Sequence, residues 1–242
     1  MSEWSQEQRH VSRAYDDWCL VEADIRAFLN LTVQWVTSAH DEAWITAQAV
    51  ADQVFDPDKH DTDLSVGFYE DKVNQLWRQN HLWMVSAAAL KDAVTAFEVY
   101  LEIGALEAIR RHGFGFRTGR LESPSWSDLK KVHEFLGTTI DPEPVQYVRS
   151  LRHLLTHQRG ELRTPESREQ FAHESEGDRS YRREVTLDKQ RVTQFMNDLA
   201  TTVADCDRQI WGMAWGSLHV PDLSPLSGRR GPLAAISKRA AK

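Results

Sequence analysis

Cysteine is scarce in this chain, since Cys19 and Cys206 are the only two among 242 residues. Two cysteines without a Cys-x-x-Cys pair exclude a disulfide-stapled secreted domain and a cysteine-based zinc site. No run of about 20 uncharged apolar residues is present, so no segment carries the signal of a membrane-spanning helix. The first residues are polar and charged and do not form a basic, apolar leader. These absences predict a cytoplasmic protein with no membrane partner.

Aromatic residues are abundant by contrast, with nine tryptophans and nine phenylalanines. A disordered chain would be poor in them, so a sizeable hydrophobic core is expected. The net charge of −7 is unevenly distributed, because residues 1–72 hold 15 acidic and 5 basic side chains. Residues 228–242 hold five basic and no acidic ones. The body between them is nearly neutral, so its charge does not exclude a nucleic-acid partner.

Apolar residues recur at three- and four-residue steps through most of the chain, whereas strand signals are nearly absent. The helices that this period predicts are two or three within Ser5–Phe55, then Tyr69–Arg111, Ser123–Leu136, Glu143–Gln158 and Asp188–Trp215. A polar linker over 161–183 separates the last two. The fold class expected is all-α, an up-and-down helical bundle with additional N-terminal helices. The domain division expected is an acidic helical region over 1–68, the bundle over 69–216 and a basic tail over 217–242.

The segment Arg152-His153-Leu154-Leu155-Thr156-His157 carries the most chemistry in the chain. Two histidines at i and i+4 share a helix face, so a metal site has to be considered. Leu154 follows His153 where a metalloprotease helix has glutamate, and no third ligand is evident nearby. We therefore expect no metal here. We also expect no cofactor, because the glycine spacing at 113–119 does not match a phosphate-binding loop.

The apolar stripe of the helix that carries this segment comprises Val145, Val148, Leu151 and Leu155. Arg149, His153, Thr156 and His157 point away from the stripe. Arg152 projects close to the edge of the stripe, where an arginine needs a partner. A purely structural interpretation pairs Arg152 with a carboxylate such as Glu98 and leaves both histidines incidental.

The same six residues resemble the Arg-polar-x-x-x-His motif of the HEPN superfamily, with His153 in the polar position. The resemblance extends over roughly Trp77–Cys206 and implies a helical bundle with the motif on a late helix. Many HEPN proteins are metal-independent endoribonucleases of toxin or phage-defence systems that act as dimers. The resemblance thus implies that Arg152, His157 and His153 are catalytic. It also implies RNA and a homodimer as partners, and a cognate antitoxin or defence-system protein as a further one.

The remaining residues of the expected site are assigned by their place around the motif. Glu98 and Thr156 are expected to support it, and Arg149, Arg159 and Arg163 are expected to bind RNA. Arg152 and His157 project about 140° apart on one helix, so a single pair is too sparse for the whole reaction. Two pairs across a two-fold axis would supply two histidines and two arginines. A non-catalytic HEPN-like module that binds RNA or a partner protein, and a structural helical scaffold, remain the alternatives.

Overall fold

The computed structural model describes residues 12–59, 63–111, 124–175 and 184–211. Within these ranges the protein is all-α, as the sequence predicts, and a single isolated bridge between Glu161 and Glu184 is the only strand-like pairing. The α-helices are α1 (Arg13–Val54), α2 (Ser65–Lys72), α3 (Arg78–Arg111), α4 (Trp126–Phe135), α5 (Glu143–His157), α6 (Pro165–Gln170) and α7 (Lys189–Trp211). A 3₁₀ turn over Ala172–Glu174 follows α6. None of the helices in these ranges combines the length and apolar character needed to cross a membrane.

Helix α1 is continuous over 42 residues, so the prediction of two or three helices within Ser5–Phe55 is wrong over the described part. No glycine or proline occurs between Arg13 and Val54, and nothing therefore interrupts the backbone hydrogen bonds. Its buried side chains recur at steps of three, four and seven residues from Ala14 to Ala51. This spacing keeps one face of a long helix against the core.

The single helix predicted over Tyr69–Arg111 is also wrong, because a turn separates α2 from α3. Asn74 and Gln75 both adopt left-handed backbone angles, with φ of 51° and 61°. The amide of Val73 donates to the carbonyl of Tyr69 at 3.0 Å, and the amide of Gln75 donates to Glu70 at 2.8 Å. Asparagine tolerates the left-handed region better than most residues, so the sequence is compatible with this turn but does not predict it.

The predictions for α4 and α5 are confirmed, because the two helices lie within the predicted ranges Ser123–Leu136 and Glu143–Gln158. Ser125 is the N-cap of α4, and its hydroxyl accepts from the amide of Asp128 at 3.3 Å. The described part of the 161–183 segment is not a simple linker, because it contains α6. Thr164 caps α6 through reciprocal bonds with Ser167. The basic tail predicted over 217–242, the glycines at 113–119 and the first eleven residues lie outside the described residues.

The chain packs as two compact units, each built from segments far apart in sequence. Unit 1 comprises Met1–Ala23, Ala93–Arg152 and Phe195–Lys242. In its core Trp18 meets the edge of Phe97 at 6.4 Å between ring centroids, and the Tyr100 hydroxyl donates to the carbonyl of Val203 at 3.2 Å. The domain boundaries expected at 68/69 and 216/217 stay predictions.

Unit 2 comprises Asp24–Asp92 and His153–Gln194. One core cluster surrounds the buried Tyr69, whose hydroxyl bonds Nδ1 of His40 at 2.7 Å and whose ring packs against Trp44 and Trp77. Unit 2 also contains a buried ion pair, in which the Glu174 carboxylate accepts a hydrogen bond from Nε of Arg191 at 2.6 Å. This ion pair fixes the residues after α6 to the first turn of α7.

Candidate active site

Helix α5 carries the whole Arg152–His157 motif and is held by its apolar face. Val145, Val148 and Leu151 are completely buried, and Leu154 and Leu155 are nearly so. The buried face is therefore wider than the stripe read from the sequence, because Leu154 belongs to it. Such burial stabilises the helix by roughly 1.5–3 kcal/mol for each large aliphatic side chain. The polar residues of the motif are thereby presented from a fixed backbone.

In unit 1, Glu98 on α3 brings two arginines of α5 together. Its Oε1 accepts from Nε of Arg149 at 3.3 Å, and its Oε2 lies 4.0 Å from Nη2 of Arg152. The guanidinium carbon of Arg149 also lies 3.3 Å above the centre of the Trp126 ring. We call Glu98, Trp126, Arg149 and Arg152 the Glu98 cluster. About a third of the Arg152 side chain and less than a quarter of Arg149 is exposed.

The charge balance of the Glu98 cluster is positive, because one carboxylate faces two guanidinium groups. The closer partner is Arg149, which is hydrogen-bonded to Glu98 and stacked on Trp126. Cation–π stacking and a charge-assisted hydrogen bond restrict the guanidinium plane. Arg149 is therefore the more constrained arginine, and the longer Arg152–Glu98 distance is that of a looser ion pair.

In unit 2, the two histidines of the motif form a pair at the end of α5. The rings of His153 and His157 are 4.4 Å apart between centroids and inclined by 45°. Both residues are exposed, as is Thr156. Solvent and a ligand can thus reach two imidazole groups at once. Imidazole is a side chain that can act as a general acid or a general base in catalysis.

The turn after α5 is tightly constrained. Arg159 and Gly160 both have left-handed φ angles, 54° and 83°, and the amide of Gly160 donates to the carbonyl of Leu154 at 3.3 Å. The Trp83 indole donates to the carbonyl of Val185 at 2.7 Å, and the amide of Val185 donates to the carbonyl of Gly160 at 2.9 Å. A glycine is required here, because a Cβ on Gly160 would lie 2.9 Å from the Trp83 ring.

The other two arginines expected to bind RNA lie outside the Glu98 cluster. Arg159 is exposed, and Arg163 is exposed and donates to Glu161 at 2.8 Å. The structure thus brings Glu98 together with Arg149 and Arg152, and His153 together with His157. Among the contacts of the described residues in unit 2, Arg163 pairs with Glu161 and not with the two histidines.

A groove with a volume of about 310 Å³ lies beside the Glu98 cluster in unit 1. Its lining residues come from α3, α4, α5 and the residue just before the cap of α4: Thr95, Glu98, Val99, Glu102, Pro124, Trp126, Leu129 and Arg149. Sequence reasoning missed Trp126 and Glu102. The only available signals were the four-residue spacing of Glu98 and Glu102 and the aromatic residue directly after the Ser125 cap.

Among the described residues, no group of three or more histidine, cysteine, aspartate or glutamate side chains is placed to hold a metal ion. Comparison of the chain with protein-family models, curated proteins and solved structures finds no significant match. Support for any function therefore comes from the motif, the helical fold and the geometry around α5.

Proposed function

We propose that this protein is a HEPN-type endoribonuclease that cleaves RNA without a metal ion. The observation that carries the proposal is the exposed pair of His153 and His157, with rings 4.4 Å apart, at the end of the helix that carries Arg152. The structural interpretation also expects the Arg152–Glu98 pair and exposed histidines, and what supports the ribonuclease is that one ligand can reach both imidazole groups. The assignment to the HEPN type rests on the Arg152–His157 motif in an all-α chain.

The proposed reaction is an internal transfer at phosphorus. A histidine takes the proton of the ribose 2′-hydroxyl, and the 2′-oxygen forms a new bond to phosphorus. The bond from phosphorus to the 5′-oxygen breaks, and a second histidine or its equivalent protonates the leaving oxygen. Arg152 binds the phosphate oxygens, whose negative charge grows in the transition state. The products are a 2′,3′-cyclic phosphate and a 5′-hydroxyl.

Glu98 gives Arg152 a suitable setting for this role. The Arg152 guanidinium lies 4.0 Å from the Glu98 carboxylate, and a guanidinium carries five N–H donors in a fixed planar fork that matches phosphate oxygens. A homodimer that brackets α5 would bring two copies of Arg152 and His157 to one phosphate. Light scattering at micromolar concentration measures that assembly. A protein that is only monomeric and still cleaves RNA would show that one chain suffices.

The test of the function is incubation of the purified protein with total RNA in EDTA. Cleavage is expected, with cyclic-phosphate and 5′-hydroxyl ends, because neither the nucleophile nor the proton donor is bound to a metal. His157→Ala should lower the rate by about 10²–10⁴-fold, the usual contribution of a general acid or base. Arg152→Lys should also be strongly impaired, because lysine keeps the charge but loses the planar fork.

Arg163→Ala is the matched control, since Arg163 is an exposed arginine outside the motif that pairs with Glu161. It should reduce RNA binding modestly and in a salt-dependent manner, without abolishing cleavage. Circular dichroism of each variant ensures that folded proteins are compared. If folded His157→Ala cleaves RNA as fast as the parent, the site is not a ribonuclease centre. A non-catalytic module that binds RNA or a partner protein would then take its place.

A further inference from the structure

The groove beside the Glu98 cluster is lined by side chains that an arginine does not need in order to bind phosphate. Its walls include the apolar side chains of Val99 and Leu129, the Trp126 ring and two carboxylates one helical turn apart, Glu98 and Glu102. We infer that this groove binds a single nucleobase of the RNA and selects guanine. The inference rests on the proposed function, since it supplies base recognition to the same RNA-binding face.

The size and lining of the groove fit one base. Its volume of about 310 Å³ is at the lower end of the range of about 300–1,000 Å³ that is usual for small-ligand sites. An RNA base unstacked from its neighbours commonly packs on an aromatic ring or an arginine plane. Arg149 and Trp126 both line the groove, and the Arg149 guanidinium carbon lies 3.3 Å above the centre of the Trp126 ring, so each side chain restrains the other.

The carboxylates determine which base is favoured. Glu98 is engaged by Arg149 and Arg152, whereas no hydrogen bond or ion pair to the Glu102 carboxylate is found in the described part of the chain. A carboxylate accepts two parallel N–H donors in the manner of its pairing with arginine. Guanine alone presents two adjacent donors, N1–H and the 2-amino group, on its Watson–Crick edge.

The other three bases match a carboxylate less well. Adenine and cytosine place a ring-nitrogen acceptor next to their amino group, and that lone pair would face the negative charge of Glu102. Uracil has one N–H between two carbonyl oxygens. A bidentate contact discriminates against a wrong base by about 1–3 kcal/mol, which corresponds to roughly 5- to 150-fold in affinity.

The position of the groove is compatible with an RNA strand bound at Arg152. Glu98 lines the groove and also lies 4.0 Å from Arg152, so one carboxylate borders both the base-binding surface and the expected phosphate-binding group. A nucleotide with its base in the groove would have its backbone on the arginine side. The groove would therefore hold a base next to the phosphate that Arg152 binds.

Calorimetric titration with the four nucleoside 5′-monophosphates tests the inference without relying on cleavage. Guanosine monophosphate should bind at least about 10-fold more tightly than the other three. Glu102→Gln should remove most of this preference, because an amide no longer offers two equivalent acceptors. Glu134→Gln is the matched control, since it removes the same charge from an exposed residue of α4 outside the groove, and it should keep the preference.

The indole signal of Trp126 in an NMR spectrum, assigned with Trp126→Phe, should shift with guanosine monophosphate in the parent protein. Equal affinity for all four nucleotides, or a preference that survives in Glu102→Gln, would overturn the inference. Tighter binding of agmatine than of guanosine monophosphate would also overturn it, because the groove would then be a site for an arginine side chain of a protein.

Sequencing of the cleavage ends separates the two proposals. Cleavage with guanosine at one fixed position supports both, and cleavage without base preference refutes only the guanine site. Guanine-selective binding by a protein that does not cleave RNA refutes only the ribonuclease assignment.

Discussion

Acidification should destabilise this protein through one buried histidine, His133 on α4. The ring is almost fully buried, and its Nε2 donates to the carbonyl of Leu101 at 3.0 Å. Because that nitrogen carries the proton of the neutral ring, Nδ1 must accept from the hydroxyl of Thr138, 2.8 Å away. Burial lowers the pKa of His133 to about 4 from an ordinary value of 6.5, and the bond to Leu101 only partly opposes this.

The size of the effect follows from the difference in proton binding between the folded and unfolded states. The unfolded chain protonates His133 below a pH of about 6.5, whereas the folded protein resists protonation down to about pH 4. The stability conferred by the neutral ring is thus complete above about pH 6.5 and is lost as the pH falls toward 4. At about 1.36 kcal/mol for each pKa unit, the loss amounts to about 3 kcal/mol.

Urea unfolding of the parent and of His133→Gln at about pH 7 and about pH 4.5 measures this contribution. Glutamine keeps an N–H donor for the carbonyl of Leu101 but does not titrate. The variant should be less stable at the higher pH and should lose about 2–3 kcal/mol less on acidification. The comparison cancels the titration of other groups, such as Asp207, whose pKa is raised by burial. If the parent and His133→Gln lose the same free energy of unfolding on acidification, the contribution assigned to His133 is refuted.

Two further predictions concern the packing of unit 2. Gly160→Ala should lower the free energy of unfolding by more than about 1 kcal/mol, because φ is 83° and the new Cβ would contact Trp83 at 2.9 Å. Gly67→Ala, with open space at its Cβ inside α2, should instead stabilise by about 0.5–1 kcal/mol, and chemical denaturation compares the two. Arg191→Ala should destabilise more than Glu174→Gln, because it leaves a carboxylate that is 2% exposed without its arginine partner, whereas Arg191 itself is 41% exposed. Thermal unfolding of both variants would contradict this if the order were reversed.

Much of the helical structure follows from local signals in the sequence. The position of α4 within Ser123–Leu136, the start of α5 at Glu143 and its end before Gly160 were all readable, because capping and termination depend on residues next to each other. The turn at Asn74 and Gln75 was not readable, since the helical apolar period continues across it. The continuity of α1 was underestimated, because the helical apolar period is clear over residues 11–29 and 43–55 and less regular between them.

Some features of the candidate active site also follow from the sequence, and others only from the tertiary structure. The sequence by itself determined that Arg152, His153 and His157 share one helix. It also indicated Glu98 as a carboxylate that could form an ion pair with an arginine of that helix. It determined the all-α class as well, because helical periodicity is written in the spacing of neighbouring residues.

Only the tertiary structure decided that Glu98 binds Arg149 more closely than Arg152, and that Trp126 stacks on Arg149 beside a groove. Trp126, Glu98 and Arg149 lie on three helices, and their distances depend on how those helices pack. Packing is set by the shapes of many buried side chains acting together, so no spacing along the chain encodes it.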